Sequence, residues 1–275
     1  MKKIIYTSAL LAFVISGSLA LNSCRDAVDI VQPGVITDEE LFTSVGNLDS
    51  YLKGGVYGQL EPSYAMYLTA VLTDEVKPGA GSGGQEFALH RFFLDNSDTY
   101  TSNIWLQNNR VINRINRLLE GAKNVTPAAS EVATYNNILA QARAIRAYCY
   151  LQLETYFSTD MKDPNALGTI LFDKVPTTDE KLPRAKNSEI YALINSDLDY
   201  ARGILTYGKD RYYVDKGFVN ALSARFNLYR GNYALAKQYA QDVISNVGLT
   251  LTPATPIQPA VDNPPAIGSS AWNTA

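Results

Sequence analysis

Cysteine, histidine and blocks of like charge are scarce in this 275-residue chain, and each scarcity closes off a class of function. The two cysteines are Cys24 and Cys149. Because Cys24 sits in a processing motif, Cys149 is left without a partner, and no disulfide framework is possible. The sole histidine, His90, excludes a multi-histidine metal site. No run of Lys or Arg supplies the electrostatic footprint of a nucleic-acid binder. The glycine run Gly79-Ala80-Gly81-Ser82-Gly83-Gly84 lacks the Gly-Lys-Ser/Thr of a phosphate loop and does not follow a strand. Neither a metal nor an organic cofactor is called for. Long apolar runs are equally rare, with a single one, Ile4–Leu21, near the start.

That run follows Met1-Lys2-Lys3 and leads into Leu21-Asn22-Ser23-Cys24. A basic start, an apolar stretch and small residues before a cleavage point make an export signal rather than part of a fold. Cysteine directly after Leu-x-Ser is the lipobox arrangement, which predicts cleavage before Cys24 and lipidation of the new N-terminus. The mature protein would then be anchored to a membrane without spanning it. Residues 1–23 hold two lysines and no acid, so the mature chain has 22 basic against 27 acidic residues. An acidic body argues against adsorption to anionic lipid and leaves the acyl chains as the membrane link.

The mature part divides into a tether over 24–36, an ordered helical domain over 37–248 and a proline-rich coil over 249–275. Thr37-Asp38-Glu39-Glu40 reads as a capping box opening a short helix to Ser44. Leu48, Leu52, Val56 and Leu60, four residues apart, predict a helix over 47–60, and another restarts at Tyr64–Leu72. Residues 74–98 read as a long loop. Ile104, Val111, Ile112, Ile115 and Leu118 share one helical face that Gly121 ends. A helix over 128–157 carries Ile138, Ala142, Ile145, Cys149, Leu153 and Tyr156 as its stripe. After a connection with three prolines, a helix over 188–205 buries Ile190, Ile194, Leu198 and Ala201. A pair over 216–229 and 233–247 turns at Arg230-Gly231-Asn232, with Ala221, Ala224, Ala236 and Ala240 allowing close approach. It looks like a tetratricopeptide-type hairpin. Strands are scarce, so the fold class is all-α, with tetratricopeptide-like helical hairpins and long irregular loops.

Long loops inside compact domains are usually functional, which makes 74–105 the candidate ligand segment. Phe87, His90, Phe92, Phe93 and Trp105 offer aromatic faces for sugar rings or peptide side chains; Asp74, Gln85 and Asn96 offer hydrogen bonds. The same Phe92, Phe93 and Trp105 could instead plug the loop into the core, since Trp105 shares a stripe with Ile112 and Ile115. Catalysis is not expected. The acidic neighbours Asp38-Glu39-Glu40, Asp74-Glu75 and Asp179-Glu180 are adjacent in sequence and diverge on a helix. No nucleophile elbow accompanies His90, and Cys149 on an apolar stripe reads as a buried small hydrophobe.

Several segments resemble one family in order. These are the lipobox, Leu48 to Tyr57, and Trp105 with Ile112-Asn113-Arg114-Ile115-Asn116, where Asn109 stands in place of a usual tyrosine. Ala142-Arg143-Ala144-Ile145-Arg146-Ala147-Tyr148-Cys149-Tyr150, Arg184 to Leu198, and Ala221 to Ala236 complete the series. The chain resembles the SusD/RagB family of Bacteroidota surface lipoproteins. That resemblance implies a non-enzymatic, surface-exposed outer-membrane lipoprotein. It would capture oligosaccharide or peptide and act as lid and partner of a SusC-like TonB-dependent transporter. The competing reading is a tetratricopeptide-like scaffold that binds a protein partner without a small ligand. Members of the family usually run to about twice this length, so a truncated gene, a fragment and a short variant all stay open. Helix faces that normally pack on further repeats would then leave an apolar patch.

Overall fold

The computed structural model describes residues 41–248 except 74, 96, 209 and 211. The signal segment, Cys24, the Thr37–Glu40 box and the tail 249–275 lie outside the described residues. The body from Phe42 onward forms a unit of its own.

Phe42–Ser44 are bends rather than the end of a helix, because Ser44 caps the next one: its Oγ accepts from the Asn47 N–H at 3.2 Å. Helix α1 (Val45–Tyr51) then widens into a π-helical stretch, Leu52–Val56, and tightens into a 3₁₀ turn, Tyr57–Gln59. A strict four-residue apolar repeat drifts around a helix of 3.6 residues per turn, and a wider turn holds it on one face. Leu48, Leu52 and Val56 are accordingly all buried.

Helix α2 (Ser63–Leu72) follows Pro62, and a single helical turn, α3 (Phe87–His90), interrupts the long loop. Helix α4 (Thr99–Ala122) starts where the Asp98 carboxylate accepts from the Thr101 N–H at 2.8 Å. Gly121 does not end α4 but lies within it. A Cβ there would sit 2.3 Å from Phe42 ring carbons, so the glycine is needed for close approach. Helix α5 (Val132–Phe157) begins later than its pattern suggests, because the Glu131 side chain folds back to accept from the Ala128 N–H at 3.0 Å.

Two short antiparallel strands, β1 (Leu167–Ile170) and β2 (Arg184–Lys186), close the proline-bearing connection. The Arg184 guanidinium holds them by donating to the carbonyls of Gly168 at 2.6 Å and Leu167 at 3.1 Å. Helices α6 (Asn187–Ile204), α7 (Lys216–Tyr229) and α8 (Tyr233–Asn246) complete the described body. At the α7–α8 turn, Gly231 adopts φ +77°, the left-handed conformation that glycine takes without a steric penalty.

The core is built around α5, which packs on both α4 and α6. Its expected stripe is buried from Ile138 through Leu153, but so are Ala140, Ala144, Ala147 and Leu151 on other faces. A helix apolar nearly all round belongs in an interior. One polar knot joins the layers. Arg146 donates to both Asp197 oxygens at 2.7 and 2.8 Å and to Asn116 Oδ1 at 2.7 Å. Asn116 in turn donates to the Phe172 and Lys174 carbonyls. The fork geometry satisfies a charge pair that would otherwise be costly inside.

On the terminal pair, Ala236 is buried whereas Ala221 is exposed. Leu228, Tyr233 and Ile244 are exposed. The architecture is all-α apart from the β1–β2 ladder, and its last two helices form the expected tight hairpin.

Candidate ligand-binding site

Of the five residues singled out for ligand contact, Asp74 lies outside the described residues. The other four fall on two supports. Phe87 and His90 belong to the single turn α3, anchored by Leu89, which is buried with Ala65, Leu68, Val71 and Ile104. His90 Nδ1 donates to the Val71 carbonyl at 3.3 Å, at the end of α2. The Arg91 guanidinium lies 5.6 Å from the half-buried Phe87 ring centroid. A second tie comes from the Tyr100 hydroxyl, which donates to Glu86 Oε1 at 2.8 Å and fastens the turn to the start of α4.

Phe92 is placed by an unusual stop. Its N–H donates to the Leu89 carbonyl at 2.9 Å and the Phe93 N–H donates to the Ala88 carbonyl at 3.0 Å. That crossed pair is the Schellman ending of a helix, in which the residue after the cap is left-handed and usually glycine. Here it is Phe92, at φ +63°. A bulky side chain in that region costs on the order of 1 kcal/mol or more. No burial offsets it, since Phe92 is 70% and Phe93 73% exposed. The loop therefore presents two phenyl rings to solvent from a strained backbone. Neither ring plugs the core.

Trp105 does the opposite. It is half-buried and meets Phe157 edge-to-face at 5.1 Å, which makes it a wall between α4 and α5. No described hydrogen bond or ring contact joins it to Phe87, His90 or Phe92. Beside the loop lies an aromatic pair that the sequence reading missed: Tyr67 stacks on Tyr100 at 4.8 Å and 19°, and Tyr67 remains 42% exposed. Its signal was available only as two tyrosines on separate helices.

The nearby cavity between α2, α4 and α5, bounded by Ala65, Ile104, Val111 and Tyr148, holds about 10 Å³, room for at most one water. Nucleophile pairing is not built here either. Ser82 Oγ has no hydrogen-bond partner among the described residues, and Ser97 Oγ donates to Asp95 at 2.6 Å, so neither engages His90. Cys149 is fully buried, and burial pushes its thiol pKa up, away from reactivity. Among the described residues, no three His, Cys, Asp or Glu side chains converge on a metal position. No described helix is long and apolar enough to cross a membrane.

Neither a scan against protein-family models nor a search of curated proteins found a match. Solved structures do match. A SusD-like carbohydrate binding protein from Bacteroides vulgatus ATCC 8482 superposes with TM-score 0.66 at 24% identity, over 77% of this chain and 47% of that one. A SusD superfamily protein from Bacteroides thetaiotaomicron VPI-5482 gives TM-score 0.66 at 20% identity, over 76% and 48%. Another, from Bacteroides fragilis, gives 0.65 at 21%, over 77% and 51%. The chain spans about half the length of each of these structures. Its helical body has the SusD-like fold.

Proposed function

We propose that the protein is an oligosaccharide-binding component of nutrient uptake, held at the outer face of an outer membrane by acyl chains on Cys24. In this reading residues 1–23 are removed, 24–36 act as a tether, and the body 37–248 holds ligand over a SusC-like TonB-dependent transporter as its lid. The protein performs no covalent chemistry and requires neither metal nor cofactor.

The observation that carries the ligand reading is Phe92. A strained left-handed backbone that exposes a phenyl ring is selected for what the ring touches, because neither packing nor local geometry rewards it. Phenyl faces stack on the C–H faces of sugar rings. Phe93, Phe87 and His90 flank Phe92 on the same short segment, with the Tyr67–Tyr100 pair beside them. Asp74, at the start of the loop, is proposed as a hydrogen-bonding partner, and Trp105 as the base on which the neighbouring segment rests. The fold shared with a protein described as SusD-like and carbohydrate binding supports the same ligand class.

Phe92→Gly is the discriminating change. Glycine suits the left-handed position, so the fold should be kept or gain about 1 kcal/mol. Retardation in gels containing soluble glycans should be lost. Unchanged retardation by the glycine variant would sink this site. Copurification of a tagged copy without any TonB-dependent transporter would sink the partnership. The scaffold reading rests on exposed Leu228, Tyr233 and Ile244 on the terminal hairpin. It would gain if protease added to intact cells left the protein untouched.

A further inference from the structure

A groove of about 490 Å³, open on one side, runs along α6, α7 and α8. Its volume falls in the range of about 300–1,000 Å³ usual for small-ligand sites. The Phe92 loop packs on α2 and shares no residue with it.

Two layers of side chains form the groove. The inner layer is already fixed. Arg202 Nε donates to Asn220 Oδ1 at 2.8 Å and its Nη2 to Ser223 Oγ at 2.6 Å. Asn220, 2% exposed, donates to Asp242 Oδ2 at 2.5 Å, and the Tyr207 hydroxyl donates to the same carboxylate. Asp199 pairs with Arg202 at 2.5 Å. The Arg202 charge is thus paired with Asp199, the Asp242 carboxylate is held by the neutral donors Asn220, Tyr207 and Asn246, and the layer is already organised before a ligand arrives.

The outer layer is free. The side chains of Gln238, Gln241 and Ser245 line the groove and make no hydrogen bond among the described residues, and Asn246 uses its amide N–H₂ on Asp242 but leaves its Oδ1 open. The Arg202 guanidinium, 4.6 Å from the Tyr239 ring centroid, fixes that ring as a wall. Neutral amides offer a donor and an acceptor on one rigid plane, which matches the paired donor and acceptor character of neighbouring hydroxyls. An aromatic wall matches the apolar C–H face of a pyranose. A phosphorylated ligand fits less well: among the described lining residues Lys216 is the one cation without an ion pair, and the N-terminus of α7 is already capped by Asp215.

We propose that this groove is a second, separate binding site for a neutral oligosaccharide, gripped by Gln238, Gln241 and Asn246 against the Tyr239 ring. The ligand class follows the reading given for the Phe92 loop; the site does not depend on it.

The test is a calorimetric titration of the full chain in detergent with malto-, cello-, xylo- and mannohexaose. It compares wild type, Phe92→Gly, the double variant Gln238→Ala/Asn246→Ala, and the three changes combined. Gln238 and Asn246 are exposed, so the double variant should stay folded by circular dichroism, with only a small loss of melting temperature from the Asn246–Asp242 bonds. At least one hexaose should occupy two sites on wild type. The double variant should weaken one of them about 25-fold, taking about fivefold for each lost hydrogen bond, while Phe92→Gly leaves that site unchanged. If the double variant binds as wild type and Phe92→Gly does not, the groove proposal is overturned and the loop reading stands. The reverse pattern supports the groove and removes the loop. No heat with any hexaose overturns both. A neutral polar hexapeptide serves as control; binding of it, in place of sugars, with sensitivity to the double variant would overturn the saccharide assignment.

Discussion

Replacing Glu154 by glutamine should make the protein more stable in a manner that depends on pH. Glu154 is fully buried on α5, where Oε1 accepts from the Thr169 N–H at 2.8 Å and Oε2 has no partner among the described residues. The carboxyl lies so close over the backbone that a Cβ on Gly168 would be 2.3 Å from Oε1. The Arg184 guanidinium is committed to the carbonyls of Gly168, Leu167 and Phe157. Burial therefore dominates and pushes the Glu154 pKa from 4.5 up to about 7, against the smaller opposing effects of the Thr169 hydrogen bond and Arg184. A carboxyl with a raised folded pKa binds its proton more tightly in the folded state. Its contribution is intact below about 4.5, erodes between 4.5 and 7, and is constant above. The erosion amounts to about 3 kcal/mol, at about 1.4 kcal/mol per pKa unit. Glu154→Gln keeps an acceptor for Thr169 and cannot ionise. Urea unfolding at pH 4 and pH 8 should show the variant gaining about 3 kcal/mol on wild type between the two. With a slope of about 2 kcal/mol/M this is a shift of about 1.5 M in relative midpoint. Equal differences at the two pH values would mean that Glu154 titrates as an ordinary surface carboxyl, and the desolvation argument would fail.

Other consequences are equally direct. Asp197→Ala strands the Arg146 guanidinium in the core and should cost about 3–5 kcal/mol in urea denaturation, more than the double replacement Arg146→Met/Asp197→Leu. Gly121→Ala should cost about 1–3 kcal/mol by driving a methyl into Phe42, and the cost should largely vanish in a Phe42→Ala background. Asp215→Ala removes an acceptor for both the Phe218 and Gly208 N–H groups at 2.8 and 2.9 Å; a loss of about 1 kcal/mol and faster amide exchange around Gly208 are expected.

The helices were legible because their information is local. Apolar spacing at three and four residues and the glycine at the α7–α8 turn sit within one or two turns of what they specify, so the terminal hairpin was read correctly to within a residue. The stop expected at Gly121 was also right to within a residue, since α4 ends at Ala122, but the role of that glycine was not legible, because the Phe42 ring that requires it lies far away in sequence. Phe92 was legible as an exposed-aromatic candidate, but its left-handed backbone was not, since nothing in the sequence marks a Schellman ending without glycine. Trp105 was ambiguous by pattern, and its edge-to-face contact with Phe157 on another helix could not be read from the sequence.

By itself, then, the amino-acid sequence determined the helical class and the positions of the helices, which rest on short-range periodicity and spacing. Tertiary structure alone decided which aromatic rings face solvent, where a carboxyl is buried without a partner, and that polar residues of α6, α7 and α8 share one groove. Those properties belong to surfaces made by segments far apart in the chain, and no local pattern encodes the distance between them.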